Sequence, residues 1–416
     1  MLRAIAMDVG PLRRHPQLRL LFLAQTSSGF GSFMTRVAVP YEVYRLTHST
    51  FVVGLLGAVE FVAILVMALV GGALADAADR RRMVLFTEAM SGLCVAILLI
   101  DVLTVDWVWP LFVGAGGLAA FYGLERPSLD AMIPRLVERE ELPATSALWW
   151  AGMNMAAIAG SSLGGVLIAA AGTGTAFAVD TATFAVGFVA LAAMRSMPAP
   201  ANAIAPSLRS IGEGLRFARS QPVLLGTYIV DMNAMFFGMP LALFPAFANR
   251  LGGPGVLGLL YAAPSIGAVV ASVTSGWAGR VVRHGRAIVC AAAAWGVFIG
   301  LAGLAQTAWL AVALVALAGA ADMVSGLFRS TIWNTLIPDN LRGRLAGIEM
   351  ISYTSGPLLG QFESGVVASL AGVRASFVSG GVLCVAGCAA AAFALPALWA
   401  YEKIGRSPKV PAESGV

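Results

Sequence analysis

The fold is decided by a short charged stretch between two apolar runs, Gly71-Gly72-Ala73-Leu74-Ala75-Asp76-Ala77-Ala78-Asp79-Arg80-Arg81-Arg82. The run before it and the run that begins at Met83 are each long enough for a membrane-crossing helix, which needs about 20 apolar residues. The arginines and aspartates therefore fall in a turn between two spans. Because cytoplasmic loops of membrane proteins carry an excess of Arg and Lys, this turn is predicted to be cytoplasmic.

The composition of the whole chain indicates the same class of protein. Apolar residues make up 58% of the 416 residues and charged residues 12%, against roughly 25% charged in a soluble domain. The mean hydropathy is +0.82. Such a chain has too little polar surface for a soluble globule, whereas its length allows around a dozen spans.

The net charge of +5 comes from basic residues in the turns between apolar runs. There is no basic face with interleaved aromatic residues, so nucleic acid is not an expected partner. The four cysteines lie inside apolar runs without the spacing of a metal site or a disulfide framework. We therefore expect no metal and no cofactor.

The chain divides into two similar halves. Residues 1–194 are expected to form a six-helix bundle with spans near 19–45, 51–75, 83–103, 108–129, 145–171 and 174–194. A cytoplasmic linker follows at 195–222, whose apolar residues at 208, 211, 215 and 218 predict an amphipathic surface helix. Residues 223–395 are expected to form a second bundle with spans near 223–247, 255–279, 287–305, 308–332, 345–371 and 374–395. The remainder, 396–416, is expected to be a disordered cytoplasmic tail.

Charge and repetition both support twelve spans. With the N-terminus inside, the turns that hold most of the arginines all fall on the cytoplasmic side, together with both termini. Gly123-Leu124-Glu125-Arg126 and Ile133-Pro134 in the first half recur as Gly326-Leu327-Phe328-Arg329 and Ile337-Pro338 in the second. Parallel repeats of this kind are typical of transporters built from two related halves.

The spacing Gly72-x-Leu74-x-Asp76-x-x-x-Arg80-Arg81 resembles the signature loop of the major facilitator superfamily, Gly-x-Leu-x-Asp-Arg-x-Gly-Arg-Arg. Here Ala77 and Asp79 replace the first Arg and the second Gly of that pattern. Further stretches at 126–134, 332–344 and 355–360 are similar to the branch that contains enterobactin exporters and drug-efflux proteins. The resemblance implies an all-α polytopic membrane protein, with twelve transmembrane helices in two pseudo-symmetric six-helix bundles.

The resemblance also implies a gating motif made of Gly72, Leu74, Asp76, Arg80 and Arg81. Asp76 is expected to approach the N-terminus of the eleventh helix, where a carboxylate is favoured by about 0.3–1 kcal/mol when exposed. Remaking that contact would bias the transporter between its inward and outward states. Alternatively, the arginines only fix the orientation of the chain and bind lipid headgroups.

Charged residues within spans are costly, so each is a candidate for coupling or for a substrate cavity. The candidates are Arg36, Glu60, Asp231, Asn233, Asp322, Glu349 and Glu363. Arg36 and Glu60 are expected to face each other, as a structural ion pair or as a proton-coupling pair.

Spacing and depth give further expectations for these charges. Asp322 and Arg329 are seven residues apart and so share one face of the tenth helix. Glu349 and Glu363, fourteen apart, share a face of the eleventh. Glu363 is expected to titrate during transport or to pair with another polar group. Asp180 is expected near the outer end of the sixth helix, in a solvated, capping or functional role.

These observations favour a secondary active transporter over an enzyme, because no nucleophile or metal constellation is found. By resemblance, it is expected to export a small amphipathic organic molecule, such as a drug or a siderophore-like compound, across a bacterial inner membrane. Protons are the expected coupling ion and a monomer the expected state. An importer or a uniporter of a small metabolite is the alternative.

Overall fold

The computed structural model describes residues 8–77, 79–198, 216–338 and 342–402, with side chains described outside 69–77 and 342–353. Within these ranges the chain is almost entirely α-helical and contains no strand. The long helices in these ranges are α1 (Pro16–Thr47), α2 (Thr50–Ala77), α3 (Arg80–Thr104), α4 (Val108–Leu136), α5 (Leu142–Ala171), α6 (Thr173–Ala192), α7 (Pro222–Leu251), α8 (Pro254–Val273), α9 (His284–Ala302), α10 (Ala308–Leu336), α11 (Arg342–Ala371) and α12 (Val373–Ala394).

Ten helices in the described part of the chain are long and apolar enough to cross a membrane. The remaining two long helices are α1, with 32 residues, and α11, with 30 residues. At 1.5 Å per residue, both exceed the roughly 30 Å of a bilayer core. The expected fold class, an all-α polytopic membrane protein, is confirmed, and the twelve expected spans coincide with the twelve long helices.

The helices pack as two bundles of six with matching internal contacts. In the first bundle α1 packs on α5 and α6, α2 on α4, and α3 on α4 and α6. Each of these pairings recurs six helices later, as α7 with α11 and α12, α8 with α10, and α9 with α10 and α12. The turns match too, since Gly172 joins α5 to α6 and Gly372 joins α11 to α12, both at positive φ. The repetition visible in the sequence therefore reflects a pseudo-symmetric structure.

We name the two ends of the molecule by their turns. Among the described residues between helices, the arginine-rich end carries 79, 137–141, 193–198, 274–283 and 337–338, and the opposite end carries 48–49, 105–107, 172, 252–253, 303–307 and 372. The bundles meet along α2 with α11 and along α5 with α8.

Glycines bring the bundles together at the opposite end. A Cβ built on Gly54 of α2 would lie 3.0 Å from the Cα of Gly365 in α11, and one on Gly258 of α8 would lie 2.8 Å from the Cα of Gly165 in α5. All four glycines lie within seven residues of the ends of their helices at the opposite end. Small residues allow such close helix crossings. The bundles are therefore in backbone contact at the opposite end.

Two spans differ from their expected course. In α7 the α-helix stops at Phe237 and resumes at Phe244, with Pro240 between them. Proline has no N–H to continue the helical hydrogen bonds, which accounts for the interruption. α8 stops at Val273 rather than near 279, because the Gly-containing stretch Ser275–Arg280 forms a 3-10 turn.

The ends of the second bundle also differ from expectation. Residues 396–402 were expected to be disordered, but Pro396–Trp399 is helical and Leu398 is fully buried. The backbone N–H of Gly285 in α9 donates to the carbonyl of Tyr401 at 3.2 Å. In the linker, residues 216–220 are helical, whereas most of the expected amphipathic helix and the tail beyond 402 lie outside the described residues.

Candidate functional site

One group of charged and polar side chains lies between the two bundles, and we call it the interhalf cluster: Arg36 of α1, Glu60 of α2 and Tyr261 of α8. The three side chains interact electrostatically. Among the described residues, Arg36 and Glu60 are not joined by an ion pair within 4.0 Å, and the Arg36 guanidinium lies 5.5 Å from the centroid of the Phe33 ring. Arg36 is exposed although it lies well inside α1, and one of its partners belongs to the other bundle. Its side chain therefore faces the space between the bundles.

A second group, the C-terminal cluster, consists of Asp231 of α7 with Asp322 and Arg329 of α10. The Arg329 guanidinium contacts the Asp231 carboxylate, and its Nη2 atom lies 3.4 Å from Oδ1 of Asp322. The spacing of seven thus does bring Asp322 and Arg329 to one face. Asp231 and Arg329 keep 6% and 11% of their side-chain surface accessible, whereas Asp322 keeps 40%. Asp322 is thus the accessible acid of a buried ion-pair group.

A third group, the carboxyl cluster, lies inside the first bundle and was largely missed from the sequence. It consists of Glu88 of α3, Glu125 of α4 and Asp180 of α6, and Glu88 interacts electrostatically with both of the others. Glu125 accepts a hydrogen bond of 2.7 Å from Gln25 of α1. Glu125 was noticed only as part of a repeat, although a charge within a span was the signal that could have selected it.

Asp180 is fully buried in the carboxyl cluster. It accepts hydrogen bonds from the hydroxyl groups of Thr35 at 2.5 Å and Thr183 at 3.3 Å. The solvated role considered for this residue is therefore wrong, because distance from a helix end along the sequence does not reveal which face of the helix is buried.

The charged stretch holds the ends of three helices of the first bundle together. Arg81 donates from Nε to the carbonyl of Leu191 at 2.9 Å and from Nη2 to the carbonyl of Ala192 at 2.5 Å. Arg81 therefore caps the C-terminus of α6. Arg80 donates to the carbonyl of Ala131 in α4 at 3.1 Å. Cationic side chains at helix C-termini are favoured by the helix dipole. The two arginines thus tie α3 to α4 and α6.

Asp79 caps the N-terminus of α3 from outside the membrane span. Its carboxylate accepts from the backbone N–H of Arg82 at 3.1 Å and from the hydroxyl of Ser196. Partial burial by itself would raise the pKa of Asp79, but these hydrogen bonds, with others from backbone N–H groups, outweigh it and hold the pKa below its usual value.

Several candidate residues lie apart from these groups. Asn233 donates to the Cys384 carbonyl at 2.8 Å, so it faces α12 within the second bundle. Glu363 is half-buried in α11 near the opposite end. Gly72, Leu74 and Asp76 lie in α2 and Glu349 lies in α11, but their side chains are outside the described residues.

A charged network closes the first bundle at the opposite end. Glu42 is buried in α1 and accepts from Thr173 at 2.9 Å and from Arg45, which also contacts Asp106. The network joins α1 to the start of α6 and to the turn after α3. The network was not expected from the sequence.

Two bundles with matching internal contacts, in backbone contact at the opposite end and with charged side chains between them, are typical of a known transporter architecture. A family model described as transmembrane secretion effector matches residues 6–413. The chain belongs to this family. The transmembrane secretion effector family lies within the major facilitator superfamily, so the expected superfamily is confirmed.

Relatives of this secretion effector chain are named as exporters. The enterobactin exporter EntS of Citrobacter koseri is 29% identical over 392 residues, which cover 92% of each chain. The enterobactin exporter EntS of Escherichia coli O6:K15:H31 is 28% identical with the same coverage. The expected likeness to the enterobactin-exporter branch is confirmed, and the family and these relatives are transporters.

Solved structures share the fold at low sequence identity. A bacterial homologue of the human lysosomal transporter Spinster, in an inward-facing and unoccupied conformation, has a TM-score of 0.73 at 13% identity, over 94% of this chain and 98% of that one. A POT family transporter in complex with 5-aminolevulinic acid has a TM-score of 0.71 at 12% identity, over 92% and 97%. At these identities the likeness establishes the major facilitator fold of this secretion effector.

Proposed function

We propose that this secretion effector is a secondary active exporter of the bacterial inner membrane, which moves a small amphipathic organic molecule outward by alternating access, with protons as the coupling ion. The observation that carries the proposal is the interhalf cluster. A cation, a carboxyl group and a phenol from both bundles face the space between them, and the bundles are in contact at one end. A ligand that binds there contacts both halves, which allows binding to be linked to their relative movement.

The chemistry of the cluster favours a ligand with both ring and charged or polar groups. Arg36 can donate hydrogen bonds to an acidic or phenolic group, and Phe33 offers an aromatic face beside the guanidinium. The Tyr261 hydroxyl, which donates to the Leu241 carbonyl at 3.3 Å, can accept a hydrogen bond from the ligand. A drug or a siderophore-like compound has such groups. The EntS relatives, named as exporters of the siderophore enterobactin, support the same substrate class.

Charge and similarity support the proposed direction of transport and the proposed orientation in the membrane. The arginine-rich end is placed in the cytoplasm with both termini, because basic loops favour that side. Since the bundles touch at the opposite end, the described state would open toward the cytoplasm and receive its substrate there. Import or uniport of a metabolite is the other possibility for the same fold, but the relatives named as exporters favour export.

Gating is assigned to the charged stretch and to the charges within spans. Arg80 and Arg81 hold α3, α4 and α6 together, so a contact of Asp76 with α11 would transmit movement to the whole first bundle. Asp231, Asp322, Asn233, Glu349 and Glu363 remain the proposed coupling or cavity residues of the second bundle. Lipid headgroups at the arginine-rich end and a monomeric state belong to the same proposal.

The experiment uses everted membrane vesicles with a standing proton gradient and a pH-reporting dye. Enterobactin and a panel of amphipathic drugs are added in turn. We expect at least one compound to release protons from the lumen, and Arg36→Gln and Glu60→Gln to weaken that response. Glu140→Gln, at an exposed turn residue, is the matched control and should respond like the wild type. Movement of a labelled compound without any proton release would contradict antiport and favour a uniporter.

A further inference from the structure

Among the described residues, Glu88 is a buried acid with fewer polar partners than burial normally demands. Its residue surface is 2% exposed, and its Oε1 atom has no hydrogen-bond partner among the described residues. The Ser28 hydroxyl of α1 interacts with the carboxyl group. A Cβ on Gly187 of α6 would collide with Oε1, so the group occupies space that a glycine leaves open. An ionised carboxylate in such surroundings costs several kcal/mol unless it is paired.

The groups that face Glu88 make ionisation harder still. Within the described part of the chain, the charged groups that act on Glu88 are Glu125 of α4 and Asp180 of α6, and both are acidic. Neither Glu88 nor Asp180 forms an ion pair within 4.0 Å in the described ranges. Glu125 has the Arg126 guanidinium nearby, and Arg126 also pairs with Asp130 at 3.3 Å. Closely spaced carboxyl groups in a medium of low dielectric do not all ionise together, so one keeps a proton.

The cluster also has a connection to less buried surroundings. Glu125 is half-buried and bonded to Gln25, whereas Asp180 is fully enclosed by Thr35 and Thr183. Glu88 lies eight residues into α3 from the arginine-rich end, or about 12 Å along the helix axis. Asp180 lies seven residues into α6 from the opposite end, or about 10 Å. Glu88 and Asp180 therefore stand at different depths within one bundle.

We propose that Glu88 is the binding site of the coupling proton and that Glu125 exchanges that proton with the space between the bundles. In the loading step a protonated Glu125 gives its proton to the Glu88 carboxylate through Oε1, which leaves Glu125 ionised and Glu88 neutral. The reverse transfer releases the proton. Asp180 is the second acceptor within reach and lies nearer the opposite end. This inference rests on the proposed proton-coupled export but assigns the proton to the first bundle, away from the interhalf and C-terminal clusters.

The first measurement needs no substrate. Infrared spectra of the purified protein in lipid nanodiscs near neutral pH should contain the C=O stretching band of a protonated carboxyl group. That band should be lost in Glu88→Gln and kept in Glu140→Gln. If Glu88→Gln does not fold, Ser28→Ala should shift the band by removing the neighbouring hydroxyl group. A band unchanged in Glu88→Gln, or in a folded Ser28→Ala, would overturn the assignment.

The second measurement separates the proton site from the transport function. In proteoliposomes, Glu88→Gln should keep the exchange of labelled enterobactin without a pH gradient but lose gradient-driven accumulation down to the level of protein-free liposomes. Full accumulation by Glu88→Gln would overturn the coupling role even if the infrared band is lost. A wild type that moves no compound would contradict the proposed function instead, and the infrared result would still decide whether Glu88 holds a proton.

Discussion

At the scale of single residues, Arg329 is the position in the second bundle where we expect a substitution to reduce stability most. Its guanidinium is largely buried against Asp231, and Asp322 lies 3.4 Å away. A buried ion pair gives little net stability compared with apolar residues, yet removing one partner leaves an uncompensated charge. Arg329 therefore matters for stability as well as for any coupling role.

We predict that Arg329→Gln lowers the free energy of unfolding by about 3–5 kcal/mol. The double variant Asp231→Asn with Arg329→Gln should recover much of that loss, because the stranded carboxylate is removed as well. Thermal unfolding in detergent, followed by a thiol-reactive dye, measures both. Arg283→Gln is the control, since its pair with Glu402 is exposed and should contribute about 0–1 kcal/mol. An Arg329→Gln variant as stable as the control would contradict the buried pair.

A second residue-scale prediction concerns Asp79, whose pKa lies below its usual value. Asp79→Ala should cost about 0.5–2 kcal/mol at neutral pH, because the N-cap of α3 is lost. A depressed folded-state pKa stabilises the protein above the unfolded value, near 3.9, and this contribution disappears as the pH falls through the lower folded value. The stability difference between wild type and Asp79→Ala should therefore shrink on acidification. A difference that does not change with pH would show that the ionised carboxylate is not what stabilises the cap.

At the scale of helices, the glycine crossings set how closely the bundles approach at the opposite end. A Cβ on Gly258 would lie 2.5 Å from the carbonyl oxygen of Ser161 and 2.8 Å from the Cα of Gly165. Both atoms belong to the backbone of α5 and cannot move away as a side chain can. The contact between α5 and α8 is thus specific for glycine.

We predict that Gly258→Ala destabilises the closed arrangement and makes the space between the bundles accessible from the opposite end. A cysteine at position 261, in a background without native cysteines, should then react faster with a membrane-impermeant thiol reagent added outside intact cells. Gly255→Ala is the matched control, because no atom of the described residues lies within 4 Å of a Cβ built there. Equal reaction rates in the two variants would contradict the closure by glycine.

A helix boundary could be predicted where apolar length determines it, and was missed where a turn within an apolar run or contacts between distant parts of the chain determine it. The positions of the spans followed from apolar length, whereas the matching turns at Gly172 and Gly372 were not singled out from the sequence. The interruption of α7 was missed, although Gly238 and Pro240 signal it, because the apolar run continues through the turn. The order of residues 396–402 was also missed, because it depends on Leu398 packing against Gly226 of α7, a contact between distant parts of the chain.

At the scale of the whole molecule, the sequence contains the two-bundle plan because the plan is repeated in it. The clusters are less predictable, because they depend on which faces of different helices meet. Asp322 and Arg329 could be placed together because they share a helix. Glu88, Glu125 and Asp180 come from three helices, and nothing in their spacing along the chain shows that α3, α4 and α6 bring them together around α1.

The central claim is that transport requires the two bundles to part at the opposite end. Phe51 of α2 and Phe362 of α11 face each other across that contact, with ring centroids 6.3 Å apart. Cysteines at both positions, in a background without native cysteines, can be joined by a flexible, cleavable bifunctional thiol reagent. The measurement is the accumulation of labelled enterobactin in everted vesicles before joining, after joining and after cleavage. Alternating access predicts that joining the two cysteines abolishes accumulation and that cleavage restores it. Each single-cysteine variant, treated with the same reagent, should keep its accumulation. Undiminished accumulation by fully joined protein would contradict the account.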